Sequence, residues 1–202
     1  MKKKILMTCL CVALAVLTIA GTTLAYLTSH DTVTNTFTVG NVTITLDEAK
    51  VNADGTAVTP AERVKENSYK LMPGHTYTKD PTVHVAAGSE ASWIFVKVEN
   101  GIAAFEDSEG NTIAKQIATT NGWTALEGVA DVYYKEYTST TATDLVVFNN
   151  FKMSDAANGV DGWGDISVET TKVTVTAYAV QKDGFDTAKA AWDATFGQPA
   201  GN

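Results

Sequence analysis

The sequence predicts a mainly β protein, an antiparallel two-sheet, jelly-roll-like sandwich with a few short helices. Three observations lead there. Apolar and polar residues alternate over many short runs rich in Val and Thr, the pattern of half-buried strands. Turn signals recur between those runs, among them Pro73-Gly74, Asn121-Gly122 and Asp183-Gly184. Helical periodicity is confined to two or three brief segments, and many strands at short spacing with little helix favour a sandwich or jelly roll.

Taken in order, residues 1–25 read as a secretory signal peptide. Lys2, Lys3 and Lys4 precede an apolar run from Ile5 to about Ala20, and small residues follow. Thr23 and Ala25 suit the minus-three and minus-one positions of a cut between Ala25 and Tyr26. The stretch from Ile5 to Leu27 is also long enough to span a bilayer as a permanent anchor, but cleavage is the expectation.

Residues 26–40 follow as an N-terminal arm. Leu27, Val33, Phe37 and Val39 occupy odd positions, while the even positions from Thr28 to Thr38 are polar. After Gly40 the phase flips, and Val42, Ile44 and Leu46 become the apolar set. A flip of register needs a bend or bulge, and Gly40 permits one. Two readings stay open. The arm is a bulged first strand of its own sheet, or it leaves its domain and adds as a strand to a neighbour. In the second case Val33, Phe37 and Val39 fill alternate pockets while the main chain supplies the hydrogen bonds.

Residues 41–202 form the predicted sandwich domain. A strand is expected at 41–47, then a polar surface loop over 47–60. Thr59-Pro60-Ala61-Glu62 has the form of a capping box and predicts a short helix to about Asn67. Val83 and Val85 share a strand face with His84 opposite. Trp93-Ile94-Phe95-Val96 is continuously apolar and predicts a central strand buried on both sides. A short helix is expected at 112–119, with strands near 122–126, 131–138 and 144–153. Val173, Val175, Ala177 and Ala179 share one face of a late strand. A last helix spans 186–196, with Ala188, Ala191, Trp192 and Phe196 on its apolar stripe.

Charge and cysteine content narrow the function. The chain carries 15 Lys+Arg against 23 Asp+Glu, net −8, and removing residues 1–25 takes three lysines with it and leaves −11. So acidic a surface argues against nucleic acid as a partner. Both cysteines, Cys9 and Cys11, lie in the signal, which leaves no disulfide and no thiolate metal site in the mature chain.

No catalytic motif is legible. The histidines His30, His75 and His84 lack the H-E-x-x-H spacing of a zinc peptidase and are expected to face solvent. No cofactor is expected. Calcium at the acidic turns Glu106–Asn111 or Asp161–Asp165 is a weaker option, since neither has the EF-hand spacing. Trp123, Tyr133, Tyr134 and Tyr137 could form a sugar-binding platform, but strand alternation would separate Tyr134 from Tyr133 and Tyr137.

Ala25-Tyr26-Leu27-Thr28 leading into TNTFTVGNVTITLDE at 34–48 resembles the mature N-terminus of the TasA/camelysin family. YKLMPGHTYTKDPTVHVAAGSEASWIFVKV at 69–98 and TAYAVQKDGFDTAKAAW at 176–192 are similar to the same family. The resemblance implies secretion from a Gram-positive cell after processing by a SipW-type signal peptidase. It implies a jelly-roll domain whose N-terminal donor strand completes the next subunit, giving a homo-oligomeric fibre of the biofilm matrix or cell surface. Accessory matrix proteins or polysaccharide are possible further partners. A camelysin-like surface metalloprotease and a monomeric adhesin or glycan-binding module are the alternatives.

Overall fold

The structure, a computed structural model, describes residues 41–108, 111–155 and 171–197. The expected signal, the arm and its residues from Ala25 to Gly40, His30 and the acidic turn at 161–165 lie outside the described residues.

Alternation has its expected consequence. One four-stranded sheet has the order β2-β1-β4-β8, from β1 (Ile44–Ala49), β2 (Arg63–Val64), β4 (Thr82–Val85) and β8 (Thr143–Val146). A second has the order β10-β5-β7-β6, from β5 (Ser92–Asn100), β6 (Thr124–Ala125), β7 (Val132–Tyr137) and β10 (Val173–Gln181). A small ladder pairs β3 (Thr76–Thr78) with β9 (Asn150–Lys152), and all of these pairings are antiparallel.

The two large sheets face each other across the main core. Val83 and Val85 from β4 meet Ile94, Val96 and Val98 from β5. β5 is buried on both faces, as its continuous apolar run predicts: Trp93 and Phe95 point the other way, under the C-terminal helix Ala188–Thr195. That helix starts at Thr187, whose hydroxyl accepts from the Ala190 N–H at 3.1 Å. Ala188, Ala191 and Trp192 face inward, and the Trp192 ring lies 5.2 Å from that of Phe95. The expected helix at 112–119 also forms. Thr112 caps Ile113–Lys115, and the chain continues to Thr120 in a wider turn closed by Asn121 N–H to the Gln116 carbonyl.

Three expectations are corrected. No helix follows Thr59: the Thr59–Pro60 peptide is cis, and Arg63–Val64 pair as β2 with Ala49 and Glu48. The polar loop at 47–60 is partly ordered, since β1 runs to Ala49 and the buried Val51 bridges Ala57. The expected single strand at 144–153 is two. Between β8 and β9 the chain leaves the first sheet, with Val147 and Phe148 fully buried. The pairing of Arg63–Val64 with β1 and the burial of Val147 and Phe148 in the core are contacts that a local pattern does not report.

Candidate functional site

The long edge of β10 that faces away from β5 is the first feature that invites a partner. β10 pairs residue for residue with β5, from Val173↔Asn100 to Gln181↔Ser92. Lys172 and Lys182 hydrogen-bond toward β5 through Gly101 and Ala91. Backbone groups alternate in direction along an antiparallel strand, so those of Val173, Val175, Ala177, Ala179 and Gln181 point away from β5. Among the described residues no strand pairs with that edge. The usual protections of an edge are charge, Pro or a bulge, and VTVTAYAVQ contains none of them.

The inward side chains of β10 are also incompletely covered. Val173, Val175, Ala177 and Ala179 pack on the main core yet are only half-buried, whereas Ile94 and Val96 on the neighbouring strand are fully buried. β1 approaches β10 across the sandwich with the same character. Ile44 and Leu46 are half-buried, and β2 covers only Glu48 and Ala49 of that edge.

The outer face of the first sheet carries a charged cluster that sequence reading missed. Aligned positions on adjacent strands bring His84 beside Asp144. His84 Nδ1 lies 2.6 Å from Asp144 Oδ1, and Nε2 lies 2.9 Å from Asp47 Oδ1. Arg63 bonds Asp47 through Nε and reaches Asp80 Oδ2 at 3.1 Å. The hydrogen bonds to Asp47 and Asp144 raise the His84 pKa above its ordinary value. Burial by itself would raise Asp47, but the bonds from Arg63 and His84 outweigh it and hold that carboxyl below the usual range. His84 is therefore paired and half-buried, not simply solvent-facing. The available signal was the strand register, which a single sequence does not disclose.

The aromatic platform is not assembled. Trp123 is buried and donates its indole N–H to the Val146 carbonyl at 2.8 Å. Tyr137 is buried and donates to the Thr141 carbonyl at 2.8 Å. Tyr133 and Tyr134 fall on opposite faces, as alternation predicts. An open groove of about 460 Å³ runs beside Trp93, Thr124 and Tyr134, with Lys182 placed over the Trp93 ring.

At the first acidic turn, Glu106 points inward. Its carboxylate accepts from Ile113 N–H at 2.9 Å and from the Asn100 amide at 2.8 Å, and burial pushes its pKa up. Asp107 pairs with Lys152. These carboxylates are directed at protein partners instead of toward a common cation.

A β-sandwich with an uncharged edge strand that no other described strand pairs is the class that fold and site define. Residues 1–120 match the family described as camelysin metallo-endopeptidase, more than half of the chain, and the protein belongs to that family. No curated protein and no solved structure matches the chain. The family's description implies a catalytic metal, and the described residues do not fit one. Both ring nitrogens of His84 are directed at carboxylates on opposite sides, and among the described residues no group of three or more His, Cys, Asp or Glu side chains is arranged to hold a metal ion.

Proposed function

We propose that this protein is a secreted structural subunit of an extracellular, biofilm-matrix or cell-surface fibre, and that it acts without catalysis. After a SipW-type peptidase cuts between Ala25 and Tyr26, the arm at 26–39 of one copy adds as a strand to the β10 edge of the next. The observation that carries this reading is the nine-residue β10, whose outward side no strand pairs among the described residues and whose inward face is half-covered. A strand paired there satisfies the outward backbone groups and covers Val175 and Ala177. The arm's sequence supplies alternating apolar residues at Val33, Phe37 and Val39 for that purpose.

The test is assembly. Deleting residues 26–36 from the mature protein leaves a folded monomer that does not elongate. Ala177→Pro removes one outward N–H without touching a bond to β5, a position where an edge strand tolerates Pro, and it blocks elongation from the acceptor side. Negative-stain microscopy and sedimentation read both. Normal fibres from the deletion variant would sink the proposal.

A further inference from the structure

A second constellation lies at the end of β1, where a carboxylate occupies a core-facing position. Glu48 is in phase with Ile44 and Leu46 and is only 4% exposed. Its Oε2 accepts from Lys79 Nζ, and its Oε1 accepts from Asn67 Nδ2 at 3.0 Å. The second Nδ2 hydrogen goes to the Ala49 carbonyl at 2.8 Å, and Asn67 Oδ1 accepts from the Val51 N–H at 3.0 Å. The Asn67 amide is thus fixed at both ends by β1 and its continuation, and one carboxylate touches both it and the Lys79 amine.

Glu48 and Lys79 are largely shielded from solvent. The Lys79 side chain is 11% exposed. The Tyr69 ring lies 6.0 Å from Nζ and packs edge-on against Tyr77 and Phe151. Burial, then the Glu48 and Asp80 charges, push the Tyr69 phenol pKa upward.

We propose that Glu48 directs an intramolecular amide bond between Lys79 Nζ and Asn67 Cγ, with loss of the Asn67 amide nitrogen. Lys79 passes a proton to Glu48 Oε2, and the neutral amine attacks Cγ. Charge developing on Oδ1 meets the Val51 N–H, which already points at it. The C–Nδ2 bond breaks as the Nζ–Cγ bond forms. Of the three Nζ hydrogens one stays on the new amide, and two pass through Glu48 to Nδ2, which departs as ammonium. The carboxylate is regenerated, and no oxidant, metal or co-reactant is needed. A lysine and an amide held against one buried carboxylate have the proximity and orientation that this otherwise slow condensation lacks in water. The bond closes a loop from Asn67 to Lys79 and ties the segment after β2 to the entry of β4. It is independent of fibre assembly.

Intact mass of the folded, secreted chain tests this. The expected result is a mass about 17 Da, one ammonia, below that calculated for the chain from its own processed N-terminus, residues 26–202 when the cut follows Ala25. Digestion then yields a branched peptide joining Asn67 to Lys79. Glu48→Gln restores the full mass, and Lys79→Arg does the same and serves as the variant of record where Glu48→Gln does not fold. Wild-type protein that is folded yet keeps its full mass on long incubation overturns the proposal. So does a mass loss that persists in Lys79→Arg and is opened by hydroxylamine, which identifies a succinimide at Asn67.

Discussion

Replacing His84 by Gln removes the one imidazole that joins Asp47 to Asp144, and its cost depends on pH. Hydrogen bonds to charged groups contribute about 1.5–3 kcal/mol when shielded. His84 is 27% exposed and Asp47 23%, but Asp144 is 70% exposed, so solvent reduces the Asp144 bond to the surface scale of under about 1 kcal/mol. The protonated imidazole therefore stabilises the fold by about 1–2 kcal/mol in total. The sign follows from the raised pKa. Below the unfolded-state value of about 6.5, the imidazole is protonated in both states and the stabilisation is complete. It is lost as pH rises through the higher folded-state value. Asp47, whose carboxyl is held low, and Arg63, whose guanidinium is held high, keep their charges across this window. Urea unfolding of wild type and His84→Gln, followed by Trp fluorescence at pH near 6 and near 9, measures the difference. Wild type should lose about 1–2 kcal/mol more than the variant over that interval. Parallel pH dependence of the two proteins would refute the pairing.

Two further substitutions probe the core and its turns by denaturation. The Gln116 amide is fully buried, donates to the Asn111 and Asn150 carbonyls and accepts from the Asn149 and Asn150 N–H groups. Gln116→Leu strands these backbone groups and should cost about 2–4 kcal/mol; an unchanged urea midpoint would mean that the network contributes nothing. Gly55 has φ +83°, and an added Cβ would stand 2.8 Å from Tyr77 Cα. Gly55→Ala should destabilise by more than about 1 kcal/mol, where an open glycine such as Gly88, with φ +77° and nothing near its Cβ position, costs less.

The sequence by itself determined whatever a residue's immediate neighbours decide. The two-sided burial of β5 is written in Trp93-Ile94-Phe95-Val96, and the last helix in the Ala188, Ala191 and Trp192 stripe. The β class follows from period-two alternation, because each strand sorts its side chains locally. Tertiary structure decided what depends on distant partners. The capping box at Thr59 yielded to pairing with β1, because Arg63 finds Asp47 and Asp80 only once the sheet has formed. Trp123 looked available for ligands until Val146, 23 residues on, supplied a carbonyl for its indole N–H. His84 gained its carboxylates from the packing of neighbouring strands, and Glu48 its lysine and amide from connections that only the folded chain brings to β1. Alternation places a side chain on a face, but only long-range pairing chooses its neighbours there, and the chemistry of this protein resides in those neighbours.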